Sequence, residues 1–166
     1  MEKSLSQIKN VDHEILKYLD DRSLLEFCKT SQYGKQLCND ENFWKRKTFS
    51  KYGIFRKNQK RTWKDFYLLI VYYMDKYNSD IDTILFNLSK RGMKNIDLID
   101  FFLARGANPN AGLDGASRKG YKDLVEYFMS IGANNILIGY MNAKLGNHQD
   151  LVEFFKRESL QILGLN

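Results

Sequence analysis

Apolar residues return at every third or fourth position along most of this chain, a spacing that lines one face of an α-helix and not one side of a strand. Between residues 8 and 44 they form short groups. Val11, Ile15, Leu16 and Leu19 share one face, and Leu24, Leu25, Phe27 and Cys28 share another. Asp20, Asp21 and Ser23 separate these groups. An Asp or Ser ahead of an apolar run accepts hydrogen bonds from the unpaired N–H groups of a helix start, so Asp21 or Ser23 is predicted to cap a second helix. Thr30, Ser31, Tyr33 and Gly34 mark a further break before a third segment through Leu37 and Cys38, which finishes at Phe43 and Trp44. From residue 62 to residue 77 the pattern is plainest: Trp63, Phe66, Tyr67, Ile70, Met74 and Tyr77 repeat every three or four positions behind Thr62 as a cap.

After residue 80 the chain repeats itself. Asp97-Leu98-Ile99-Asp100-Phe101-Phe102 returns as Asp123-Leu124-Val125-Glu126-Tyr127-Phe128 and again as Asp150-Leu151-Val152-Glu153-Phe154-Phe155, at offsets of 26 and 27 residues. Gly106-Ala107-Asn108 returns as Gly132-Ala133-Asn134, and Gly120 as Gly146. Each unit reads as two short antiparallel helices ended by a glycine able to take the left-handed conformation of a helix terminus. The pairs are expected at residues 80–91 with 95–105, 111–119 with 121–131, and 136–145 with 148–158. A single helix pair cannot bury its apolar face, so the three should stack on one continuous core.

Composition agrees with a folded, helical chain: 43% of residues are hydrophobic, 28% are charged, and Pro109 is the single proline. Only Gly34 and Gly53 precede residue 90, so the chain changes character near there. The longest apolar stretch, residues 66–74, is far too short for a membrane span, and no charged start with an apolar run and small-residue cleavage site is present. A soluble, unexported protein is expected, cytoplasmic or nuclear. Cys28 and Cys38 sit at apolar-periodic positions with no further ligand for zinc, and are expected as buried free thiols.

The net charge of +6 is local: nine of the 26 basic residues, and none of the 20 acidic ones, fall between residues 45 and 64. These are Lys45, Arg46, Lys47, Lys51, Arg56, Lys57, Lys60, Arg61 and Lys64. Any electrostatic partner belongs to that stretch. Trp44, Phe49, Tyr52, Phe55 and Trp63 interleave with the cations, as on nucleic-acid surfaces. A partner-facing, solvated surface is the main reading, with nuclear import and nucleic-acid binding as alternatives.

Titratable groups do not converge. His13 and His148 lie in different regions, without a nucleophile elbow, phosphate loop or metal-ligand spacing. The Asp and Glu residues of the repeated block recur with the repeat, near helix starts where negative charge is favoured. A catalytic role, a cofactor or a metal is therefore not expected.

The N-terminal segment resembles an F-box. It reads Val11-Asp12-His13-Glu14-Ile15-Leu16-Lys17-Tyr18-Leu19-Asp20, then Ser23-Leu24-Leu25-Glu26-Phe27-Cys28, Leu37-Cys38 and Asn42-Phe43-Trp44, with Asp12 where the family commonly has proline. The resemblance implies docking to the Skp-type adaptor of a cullin-based ubiquitin ligase, the chain acting as substrate receptor. A three-helix segment of about 40 residues seldom closes its own core, so an apolar face should remain for a partner helix. Val11, Ile15, Leu16, Leu19, Leu24, Leu25 and Trp44 are the expected contacts. Aspartate in place of Leu16 or Leu24 is expected to abolish the complex.

The C-terminal half is similar to ankyrin repeats, in the short form found behind F-boxes in large DNA viruses, which implies a host-cell setting. Ordinary ankyrin units are about 33 residues long; these are shorter and lack the Thr-Pro-Leu-His box, so tight loops replace β-hairpin fingers. An all-α chain is thus expected, comprising an F-box-like segment (1–48), a basic linker and aromatic spacer helix (49–79), and about three ankyrin-like helix pairs (80–166) that present an unknown target protein. A repeat scaffold with a degenerate F-box cap is the alternative.

Overall fold

The computed structural model describes residues 9–54, 57 and 61–164. Among them every regular element is helical, as the periodicity predicts: α1 (Lys9–Leu16), α2 (Asp21–Thr30), α3 (Gln32–Leu37), α4 (Glu41–Tyr52), α5 (Trp63–Lys76), α6 (Ile81–Ser89), α7 (Ile96–Leu103), α8 (Pro109–Lys119), α9 (Lys122–Ser130), α10 (Ile136–Leu145) and α11 (Gln149–Ile162). A short 3-10 turn, Met93–Asn95, leads into α7. The chain divides into two compact units, residues 1–72 and 73–166. Their border falls inside α5, and α4 runs past the boundary expected at residue 48.

The starts of α2, α3 and α4 are each held by a residue whose backbone is already extended. For α2 that residue is Asp20 and not Asp21 or Ser23: its Oδ1 accepts from the Ser23 N–H at 2.9 Å, and its Oδ2 from the Ser23 hydroxyl at 2.6 Å. Asp21 is already the first helical residue, which leaves its carboxylate to accept from the Tyr67 hydroxyl. Ser31 caps α3 through the Gly34 N–H, and Asp40 caps α4. At the start of α5 the predicted cap, Thr62, accepts from the Asp65 N–H at 3.0 Å, and Glu41 of α4 accepts from the Trp63 N–H at 2.6 Å.

The core of this unit is formed by Leu16, Leu24, Leu37, Cys38, Phe43, Trp44 and Tyr67, with Phe27, Cys28 and Trp63 packed around it. The spacer helix α5 therefore belongs, through its first half, to the N-terminal core. Trp44 is wholly enclosed and donates its indole N–H to the Cys38 carbonyl at 2.7 Å. Cys28 and Cys38, expected as free thiols, form a disulfide with their Cα atoms 5.6 Å apart. The reversal at Ser31 brings the last turn of α2 against the end of α3, a tertiary juxtaposition that residue spacing alone does not carry.

The second unit is a stack of three helix pairs, α6 with α7, α8 with α9, and α10 with α11, in which α8 packs between α6 and α10. The helices follow the expected segments, except that α8 begins at Pro109 and α11 runs on to Ile162. The repeated Gly-Ala-Asn now has a physical reading. Gly106 and Gly132 take φ of 88° and 103°, and Ala107 and Ala133 donate back to the Phe102 and Phe128 carbonyls, closing each helix end in the bonding pattern of a Schellman motif. Asn108 then caps α8, with Pro109 in the first helical turn where its missing N–H costs nothing. Asn134 does not cap α10; its backbone N–H donates to Asn110 Oδ1 at 2.8 Å, tying one repeat to the next.

The glycine pair Gly120 and Gly146 serves contact as much as conformation. Gly120 has φ 75°, but Gly146 is right-handed, and the left-handed residue there is Asn147. What both glycines share is the His148 ring, which a Cβ at either position would approach to 2.5 Å. His148 Nε2 lies 3.3 Å from the Arg118 carbonyl, so the imidazole acts as a packed spacer between turns.

Candidate protein-interaction surface

Helix α1 is built inside out. Asp12, His13 and Leu16 turn inward and are at most 2% exposed, while Val11, Ile15 and Tyr18, at 45%, 50% and 82%, form an i, i+4, i+7 line on or just beyond the helix that faces solvent. Polar groups buried in such a place must be hydrogen-bonded. The Asp12 carboxylate accepts from the Tyr33 hydroxyl of α3, and that bond raises the Tyr33 phenol to about 12. His13 Nδ1 lies 3.0 Å from Arg46 Nη2. A guanidinium only donates, so Nδ1 accepts, and the ring proton sits on Nε2, which donates to the Leu37 carbonyl at 3.3 Å. Asp12 thus ties α1 to α3 through its side chain.

The turn after α1 is fastened from below by Lys47. Its Nζ donates to the Lys17 and Leu19 carbonyls at 2.8 and 2.6 Å, and the residue is only 4% exposed. Burial lowers its pKa from the ordinary lysine value. The ammonium holds the end of α1 as a fixed cap, and Tyr18 projects from that turn.

The expected contact residues therefore separate into three groups. Val11 and Ile15 are on the outer line of α1; Leu19 and Leu25 are half-buried; Leu16, Leu24 and Trp44 are core. Tyr18 was not among the expected contacts, although its i+3 spacing from Ile15 puts it on the same line. Aspartate at Leu16 or Leu24 would break the core, so a loss of binding there would report unfolding.

The basic stretch does not form one surface. Lys47 is internal, Lys51 pairs with Asp21 at 2.6 Å, and Lys64 donates to Asn39 at 3.2 Å. Lys45 and Lys57 both lie over the Trp63 ring, at 6.0 and 5.7 Å from its centroid, and Arg61 is half-buried. Arg56 and Lys60 lie outside the described residues, as does Phe55. Lys47, expected in the basic surface, instead shares the buried face of α4 with Phe43, Trp44 and Thr48.

In the second unit the apolar surface is concentrated on the last pair. Leu137, Met141 and Leu145 of α10 are exposed, and Leu137, Tyr140, Lys156, Ser159 and Leu160 line a hollow of about 440 Å³ between α10 and α11. Among the described residues no cluster of three or more potential metal ligands occurs, and no helix is long and apolar enough to cross a membrane. Comparison with protein-family models, with curated proteins and with solved structures gave no match.

Proposed function

We propose that the chain is a non-enzymatic substrate receptor of a Skp-cullin-F-box type ubiquitin ligase, docking the adaptor through α1 and holding a target protein on the helix pairs. The observation that carries this reading is the inverted α1: an apolar line of Val11, Ile15 and Tyr18 faces water while Asp12 and His13 are buried beneath it. Buried polar groups and exposed apolar lines are the informative exceptions to ordinary burial, and a helical apolar line suits a partner helix. Leu16, Leu24 and Trp44 are then the frame that presents the line. The stacked pairs are similar to ankyrin units without fingers, and the hollow on α10 and α11 is the apolar ground for a target.

Co-expression with a Skp-type adaptor tests this. The wild-type chain should co-purify with the adaptor; Ile15→Asp and Tyr18→Asp should abolish the complex with an unchanged melting temperature, since neither side chain is core. A folded wild-type chain that fails to co-purify ends the proposal.

A second reading, a repeat scaffold whose N-terminal unit is only a cap, is favoured by the Cys28–Cys38 bond, because disulfides persist in oxidising compartments and not beside cytosolic ligases. Under that reading the adaptor does not bind, and the cysteines are recovered oxidised from the protein's native setting.

A further inference from the structure

Helix α4 repeats the inversion seen in α1. Its inner face holds Phe43, Trp44, Lys47 and Thr48, and its outer face, at i, i+3, i+4 and i+7, carries Asn42, Lys45, Arg46 and Phe49. A lysine is inside and a phenylalanine outside. Together with Ile54 beyond the helix end, those four outer residues line a hollow of about 370 Å³. The floor is apolar, from Phe49 and Ile54; the walls bring an ammonium, a guanidinium and a carboxamide; no acidic residue is among the five.

We propose that this hollow is a docking site for a short acidic segment of another protein, one apolar side chain seated on Phe49 and Ile54 and flanking carboxylates on Lys45 and Arg46. Charge complementarity names the occupant. Lys45 and Arg46 place two cations, and no carboxylate, among the described residues that line the hollow, which favours a negative partner. Arg46 keeps one nitrogen on His13 and retains further N–H donors for a planar carboxylate.

Nucleic acid fits less well. Lys47, Lys51 and Lys64 are engaged within the chain, so few cations remain to displace counterions from a phosphate backbone, and non-specific affinity grows with the number of phosphates neutralised. The apolar floor also has the dimensions of a side-chain seat and not of an extended stacking platform. This site is separate from the line on α1 and does not depend on the ligase reading.

The test uses the full chain and fluorescence anisotropy at about 0.15 M salt. The probes are a labelled peptide of Glu and Asp around a central Leu-Phe pair, its Gln/Asn counterpart, a single-stranded RNA and a generic DNA duplex. The acidic peptide should bind saturably, and the Gln/Asn peptide roughly tenfold more weakly or worse. Lys45→Glu should weaken the acidic peptide by about tenfold, and Asn42→Asp, which adds an opposing charge without removing a packed side chain, should weaken it in the same direction. Phe49→Ser should weaken both peptides. Acidic-peptide binding indifferent to Lys45→Glu and Asn42→Asp, equal binding of the two peptides, or an RNA or DNA probe that displaces the acidic peptide at this salt would each overturn the proposal, as would no binding at all.

Discussion

The ring of Phe128 rests directly on the backbone of Gly112: a Cβ at that glycine would stand 2.2 Å from two ring carbons. The contact recurs one repeat later, where a Cβ at Gly139 would stand 2.6 Å from the Phe155 ring. In both cases an aromatic of the repeated Asp-Leu-Val-Glu block closes onto the partner helix of its own pair, and a glycine inside that helix makes the closure possible.

Gly112→Ala should therefore destabilise the second unit, by about 2 kcal/mol, although the same change in an exposed helix stabilises by roughly 1 kcal/mol. Phe128→Leu costs about 1 kcal/mol alone but should cost less beside Gly112→Ala, because the smaller side chain leaves room for the methyl. Urea denaturation of the double-mutant cycle measures this, and additive effects would refute the proposed contact energy.

Lys47 holds the turn from which Tyr18 projects, so Lys47→Met should strip two carbonyls of their donor while leaving the greasy stem replaced. A loss of about 2 kcal/mol is expected. Hydrogen exchange should accelerate first at the amides between residues 17 and 24, and uniform acceleration along α4 instead would mean that Lys47 acts through packing alone.

Reduction of Cys28–Cys38 should cost the first unit about 3 kcal/mol, the loop-closure entropy of a cross-link spanning 10 residues. Both cysteines of the chain lie in that unit, so amides between residues 81 and 164 should keep their exchange rates in reductant while those between 9 and 54 lose protection. Thermal melts of the double Cys→Ser variant should match those of the reduced protein.

Helix positions were legible because the 3.6-residue period survives in almost every segment, and the repeats because the Asp-Leu-Val-Glu block and its glycines return at nearly constant offsets. Direction was harder. Helix α1 offers two candidate inner faces, Val11 with Ile15 and Asp12 with Leu16, and periodicity cannot choose between them; hydrogen bonds from Tyr33 and Arg46, more than 20 residues away, decide it. Charge similarly disguised Lys47 as surface. Gly112 and Gly139, 27 residues apart, carried a readable repeat signal, but a glycine within a helix reads as a weakness until the ring above it is known. The cysteine pairing depends on a chain reversal at Ser31, and no spacing rule contains that.

Asp114, in the middle of α8, offers the sharpest dependence on pH. Its Oδ1 is buried without a hydrogen-bond partner, and desolvation pushes the carboxyl from its ordinary value up to about 6. An acid whose folded value lies above its unfolded one binds more protons in the native state between the two values, so stability falls as pH rises through roughly 4 to 6 and stays lower above that. The side chain is half-buried, so solvent screens much of the penalty, and about 1 kcal/mol is the expected size at neutral pH. Asp114→Asn removes the titration: it should be more stable than the parent at pH 7 and indistinguishable from it at pH 4. Melting curves at the two pH values decide the matter, and an advantage that persists unchanged at pH 4 would trace the gain to packing or helix propensity instead of the desolvated charge.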